Sequence, residues 1–123
     1  MQNILLVGIG GALGAISRYA VNQAVVAYIG SSLIGTFIAN TSGSFLLGLL
    51  TGLFSVNSDW SSETRIFIAI GFLGSYTTFS TLTVATVESI QKGDLPVALV
   101  NVLGSIVTGL VAAFIGIIVG RAI

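Results

Sequence analysis

The sequence predicts an all-α membrane protein of four transmembrane helices, the third broken at its centre, acting as an antiparallel dimer. Three observations lead to the helical part of that reading. Charge is scarce: four basic and four acidic residues in 123, whereas a soluble domain is about a quarter charged. So few charges cannot clothe a water-facing surface, and most of this one must face lipid. Those charges leave long uncharged runs, 19–58, 66–87 and 95–120, each able to hold the roughly 20 apolar residues that a spanning helix needs. Within the middle run, glycine, serine and threonine crowd the region where an unbroken helix would cross the bilayer centre.

With the apolar N-terminal stretch that carries Arg18, the runs place spans near Ile4–Ala27, Ser32–Phe54, Ile66–Ser89 and Leu95–Gly120, as one domain over residues 1–123. The first hairpin turns at Gly30-Ser31-Ser32. The second loop, Ser55–Ser62, is polar and carries Trp60, a candidate interfacial anchor. The third is Lys92-Gly93-Asp94, followed by Pro96, which opens the last helix where its missing N–H costs little. No cleaved leader is expected, because the first apolar stretch has no basic n-region and runs past Arg18 into more apolar sequence. Cysteine and histidine are absent, which excludes disulfides, thiolate metal sites and histidine catalysis. A net charge of zero argues against nucleic acid as a partner. No set of nucleophile, base and metal ligands is present, so an enzyme is not expected.

Orientation is weakly encoded. Arg65 and Arg121 lie on one side, and Lys92 and Arg18 belong to the other, so the positive-inside rule has little to act on. Either subunits insert both ways up and pair antiparallel, or determinants other than charge orient the chain. Small residues recur at four-residue spacing in Gly10/Gly14, Gly48/Gly52 and Gly116/Gly120, with Gly8/Ala12 and Gly11/Ala15 extending the theme. These are read as packing seams that let helix backbones approach in lipid.

Polar residues at lipid depth are costly and mark a pathway or a partner. Arg18 lies inside the first span, where an unsolvated charge costs ~3 kcal/mol or more, and is assigned to the wall of a water-filled vestibule. Asn40, near the middle of the second span, can donate to an anion or make an interhelical hydrogen bond, and both roles stay open. Asn101, Ser105 and Thr108 follow at i, i+4 and i+7, a polar stripe along one face of the fourth helix. The third span reads Gly71-Phe72-Leu73-Gly74-Ser75-Tyr76-Thr77-Thr78-Phe79-Ser80-Thr81. This composition favours a broken helix whose unwound carbonyls build an ion site at mid-depth. The alternative is a continuous helix whose hydroxyls bond back to their own backbone.

At these residues the chain resembles the Fluc (CrcB) family of fluoride channels. The resemblance rests on Gly10–Tyr19 in the first span, Gly35–Asn40 with Gly43-Ser44-Phe45 and Gly48 in the second, Gly71–Gly74 with Thr77–Thr81 in the third, and Ser105 with Gly109 in the fourth. It implies a dual-topology antiparallel dimer in the cell membrane, with two parallel fluoride pathways. It implies one structural sodium ion (Na+) at the dimer interface, held by carbonyls of Gly74 and Thr77. It assigns Asn40 and Phe79 to the pore, with Thr78, Ser80, Leu82, Asn101, Ser105 and Thr108 along the path. Three positions depart from the family pattern. Leu82 stands where a second phenylalanine is usual, Ala85 where an acidic residue is usual, and Asn101 where a tyrosine is common. On this reading Leu82→Phe is expected to be tolerated and to raise flux.

The function implied is passive efflux of fluoride. Partners are fluoride, membrane lipid, and a second copy of the chain or a sibling subunit. The alternatives are a degenerate or structural subunit of a heterodimeric fluoride channel, or a small proton-coupled multidrug exporter. The exporter needs a membrane-embedded carboxylate, for which Glu88, near the end of its span, is the sole candidate.

Overall fold

A computed structural model describes residues 1–57 and 59–123, and all regular structure among them is helical. Helix α1 spans Gln2–Ile29 and ends at Gly30, whose φ of 78° suits a residue without a side chain. Helix α2, Ser32–Val56, starts at once, with the Ser31 hydroxyl accepting the Ile34 N–H as its cap. The third span is composite. Helix α3, Ser62–Arg65, is capped by Ser61 and passes into a π-helical stretch, Ile66–Leu73. A short turn, α4 at Gly74–Tyr76, follows before the chain unwinds, and α5 resumes at Phe79–Gln91. Gly93, with φ 77°, turns the chain, and Asp94 caps α6, Leu95–Ala122.

Among the described residues, four helices are long and apolar enough to cross a membrane, Gln2–Ile29, Ser32–Val56, Ser62–Gln91 and Leu95–Ala122. The largest difference from the expected bounds is at the start of the third span, Ser62 rather than Ile66.

The packing is inverted relative to a soluble domain. Large apolar side chains point outward, among them Val100, Leu110 and Phe114, and the buried set is dominated by small residues. With lipid as apolar as the side chains, helices gain by close backbone contact rather than by hiding leucines. The glycine pairs supply that contact. A Cβ added at Gly48 or Gly52 of α2 would strike the Ala113 or Ile117 carbonyl of α6. Reciprocally, one at Gly116 or Gly120 would strike the Phe45 or Leu49 carbonyl of α2. Gly10 and Gly14 bring α1 against the Phe67 and Phe72 carbonyls of the π-helical stretch. All three glycine pairs therefore pack within the subunit, in two seams. Gly8, by contrast, has nothing near its Cβ position among the described residues.

This predicts a sharp contrast between two glycines. Gly116→Val sets a branched side chain against fixed backbone and is expected to cost at least the ~1–3 kcal/mol of an overpacked core. Gly8→Ala is expected to be neutral or slightly stabilising, since alanine is the better helix former. Thermal unfolding in detergent, read by loss of the monodisperse peak, checks both.

Candidate ion pathway at a broken helix

The third span breaks at two residues. Thr77 (φ −84°, ψ 156°) and Thr78 (φ −151°, ψ 121°) are extended, at the middle of a span running from Ser62 to Gln91. An extended pair at this depth strands backbone groups, and lipid offers them no partner. Asn40 of α2 meets that need. Its Nδ2 donates to the Thr78 carbonyl at 2.9 Å and its Oδ1 accepts the Thr78 N–H at 2.7 Å. The side-chain amide thus replaces a neighbouring backbone strand. The interhelical role left open for Asn40 is the one observed, and one Nδ2 hydrogen remains for another acceptor.

Two further groups of α2 hold the break. The Ser42 hydroxyl lies 3.0 Å from the Tyr76 hydroxyl. Gly43 leaves room for Thr77, whose Cγ2 would collide with any side chain there. The break also frees carbonyls. In a continuous helix the Thr78 N–H would bond the Gly74 carbonyl, but it is taken by Asn40. The Thr81 N–H would bond the Thr77 carbonyl, but it goes to the Thr78 hydroxyl at 3.3 Å. The carbonyls of Gly74 and Thr77 are thus among those released by the break, and Gly74 is exposed on the subunit surface. Such oxygens suit a hard monovalent cation. Among the described residues no cluster of three or more His, Cys, Asp or Glu side chains gathers.

Two cavities meet at the break. One, of about 270 Å³, lies between α1, α2 and the start of α5 and is lined by Arg18, Asn22, Thr36, Thr78 and Thr81 among others. The other, of about 240 Å³, is lined by Asn40, Gly43, Ser44, Leu47, Thr77, Thr78, Phe79 and Leu82. Thr78 borders both. Arg18 borders the first of these cavities. Phe79, at the first turn of α5, is 73% exposed and projects from the subunit. The Ser80 hydroxyl, also exposed, lies 3.4 Å from that of Thr78.

Leu82 borders the second cavity but is only 5% exposed. That burial changes the expectation for Leu82→Phe. A larger ring at a packed position costs ~1–3 kcal/mol, so the substitution is now expected to strain the α5 packing rather than to raise flux.

The fourth-span stripe is divided rather than continuous. Ser105 is 7% exposed, and its hydroxyl oxygen is buried without a hydrogen-bond partner among the described residues. Thr108 donates to the Gly104 carbonyl at 2.7 Å and lies 3.4 Å from the Thr41 hydroxyl of α2. Asn101 donates to the Thr86 hydroxyl of α5 at 2.9 Å. Asn101 and Thr108 also border a separate apolar groove of about 660 Å³ between α2 and α6, with Ile34, Phe37 and Val100. Within one chain these three residues do not reach the Asn40 cavity. Helical spacing placed them on one face but could not say which neighbour that face meets.

Sequence reasoning missed Asn22, Thr36, Thr41 and Tyr76. A signal existed for two of them: Asn22 lies one turn after Arg18, and Thr36 one turn before Asn40, each on the face of the residue singled out.

Comparison with known proteins follows the same lines. The model of the family described as CrcB-like protein, Camphor Resistance (CrcB), matches residues 5–117. The chain belongs to the CrcB family. A relative from Magnetococcus marinus, described as fluoride-specific ion channel FluC, is 39% identical over 123 residues, 99% of this chain and all of the relative. One of the same description from Thermus thermophilus is 40% identical, covering 100% of this chain and 98% of the relative. A third, from Hydrogenovibrio crunogenus, is 40% identical, covering 96% and 90%. CrcB membership accounts for the multi-pass architecture. These CrcB relatives are channels, not enzymes.

Proposed function

We propose that this protein is a passive, fluoride-specific channel that lowers cytoplasmic fluoride by letting the anion leave across the cell membrane. The observation that carries this is the meeting of two cavities at Thr78, where donors from Arg18, threonine hydroxyls and the Asn40 amide surround an unwound segment. Fluoride holds water tightly, so a path must offer replacement hydrogens as that water is stripped. Hydroxyls and amide supply them, and so does the positive ring edge of Phe79. Hydrogen fluoride, a neutral weak acid, enters cells unaided and ionises inside. An inside-negative potential then drives the anion outward by about 2.3 kcal/mol per 100 mV, so no energy-coupling site is needed. Glu88, the carboxylate a proton-coupled exporter would use, borders an outer groove on α5 with Thr83, Val84, Val87 and Gln91, apart from both cavities.

The working unit is a dimer of antiparallel copies. Support comes from the balanced charges and from Phe79 and Gly74, which lie exposed at mid-depth until a second copy covers them. Two copies bring together four carbonyls, from Gly74 and Thr77 of each, and these would hold a sodium ion that neutralises the converging half-helix ends. A ligand bound only by the native dimer stabilises it by about 2.7 kcal/mol at a hundredfold over Kd. The thermal midpoint of the purified dimer is therefore expected to rise with sodium and not with N-methylglucamine at equal ionic strength. A sodium-independent midpoint would remove the site.

The function is tested by fluoride efflux from liposomes containing this chain alone, with chloride as control. Fluoride should leave and chloride should not. Single cysteines placed in the loop between α2 and α3 should label from both sides of an intact membrane. Labelling from one side, together with no flux, would favour a sibling subunit and a heterodimer.

A further inference from the structure

The turn that carries Gly74 into the break is held by one side chain. Helix α4 has three residues in three environments: Gly74 is exposed, Ser75 is half-buried and Tyr76 is 8% exposed. Tyr76 packs with Ala39 of α2 and with Leu73 in the buried core. Its ring stacks on that of Phe72, one turn back, with centroids 6.0 Å apart and planes 7° apart. Helix α2 closes on the ring edge at Gly43, where a Cβ would stand 3.2 Å from Cδ1. The Tyr76 hydroxyl lies 3.0 Å from that of Ser42. A proton count gives the direction of this bond. A hydroxyl has one proton, and Ser42 gives its own to the Ile38 carbonyl at 2.7 Å. Tyr76 is therefore the donor and Ser42 the acceptor.

Burial of Tyr76 sets the roll of the turn. Residues two apart in a helix point about 200° apart, so a tyrosine turned onto α2 leaves Gly74 facing the other way, where it is exposed. The carbonyls of Gly74 and Thr77 are not equally secured. Thr77 is tied to the Leu73 carbonyl twice, by its N–H and by its hydroxyl, both at 3.1 Å. Gly74 has no side chain to tie. Its N–H reaches back to the Ala69 carbonyl of the π-helical stretch, and the Thr78 N–H that would have held its carbonyl is taken by Asn40. The place of the Gly74 oxygen thus follows the roll and tilt of a three-residue turn. Among the described residues, the one side-chain hydrogen bond from that turn to another helix is Tyr76 to Ser42. Tyr76 lines neither cavity at the break, so any effect it has on an ion is indirect.

We propose that Tyr76, through its hydroxyl on Ser42, is a positioning residue for the cation site, fixing the Gly74 carbonyl where sodium needs it. This rests on the sodium reading given above and adds to it the pair that tunes affinity. Carbonyls held ready for the ion lose no further freedom when it binds. Without the Tyr76–Ser42 bond the turn rocks, and each binding event must order it again. The cost falls on sodium affinity, in both copies of the dimer.

The test is the thermal midpoint of the purified dimer titrated with sodium, N-methylglucamine holding the ionic strength constant. Tyr76→Phe keeps the ring and its stack and removes only the donor. It should raise half-saturating sodium about threefold to tenfold, a fraction of the worth of the two hydrogen bonds lost, one per copy. Ser42→Ala removes the acceptor and should raise it similarly, and the double variant should be no worse than the worse single one. Thr51→Ala removes an α2 hydroxyl that bonds the Leu47 carbonyl of its own helix, and should respond to sodium as the parent does. Unchanged half-saturation in both Tyr76→Phe and Ser42→Ala, whatever their midpoints without sodium, would overturn the proposal, because a pair that merely stabilises the fold behaves that way. Effects that add in the double variant would overturn it too, since two residues acting through one bond do not count twice. A parent whose midpoint ignores sodium overturns the sodium reading and the positioning role together. A responsive parent with unmoved variants overturns the positioning role alone.

Discussion

Replacing Asn40 with leucine is expected to abolish flux and to destabilise the subunit. Asn40 satisfies both backbone groups of Thr78 at once. Leucine fills a similar volume but satisfies neither, leaving a donor and an acceptor stranded in a part-buried, lipid-surrounded segment. At ~1–3 kcal/mol for each unsatisfied group, the cost is about 2–6 kcal/mol. The helix can escape it by rewinding through Thr77 and Thr78, which would close the carbonyls of Gly74 and Thr77 back into helical hydrogen bonds. Either outcome removes the satisfied break that Asn40 maintains. Asn40→Asp separates structure from conduction. An ionised carboxylate still accepts the Thr78 N–H but offers nothing to the Thr78 carbonyl and carries a negative charge. Dimers of this variant are expected to assemble and to conduct about tenfold less fluoride or worse, since each 1.4 kcal/mol of added cost for the anion is tenfold. Wild-type efflux from well-assembled Asn40→Leu dimers would show that the clamp is dispensable.

Phe79→Ile is the second change with a large expected effect. Phe79 projects from the first turn of α5, is 73% exposed in the subunit and borders the cavity that holds Asn40. Because so little of the ring is buried in its own chain, isoleucine should leave the subunit fold intact. What is lost is the ring's electropositive edge. A second aromatic is not at hand, since position 82 is leucine and faces inward. Each 1.36 kcal/mol of lost stabilisation of the passing anion is tenfold in rate, so fluoride flux is expected to fall to about a tenth or lower. Sizing of the purified dimer and liposome efflux from the same preparation check the two halves. Parent-like efflux from correctly assembled Phe79→Ile dimers would discard the ring-edge mechanism.

The sequence alone determined the architecture and the location of its weak point. Charge spacing is a direct record of where the chain meets water, because burying a charge in lipid costs several kcal/mol wherever it occurs. Hence the last three spans could be read from the gaps between charges, while the first is apolar around the one charge, Arg18, that it carries. The break at Thr77 and Thr78 was legible for a similar reason, as glycine and small hydroxyl residues support a helix poorly and tolerate unwinding. The glycine pairs were legible as seams, because only a residue without a Cβ lets two backbones touch.

The tertiary structure decided which groups those features meet. A period of 3.6 residues says that Asn101, Ser105 and Thr108 share a face, but not that Ser105 turns into the core while Asn101 reaches Thr86 on α5. Nothing local distinguishes Leu82 as a packed residue from Leu82 as a pore-facing one. Asn40 could serve an anion or a backbone until Thr78, 38 residues away, was placed beside it. Spans are set by the one-body cost of putting each residue in lipid, which sequence carries. The site is set by pair contacts between helices, and those exist only once the helices have packed.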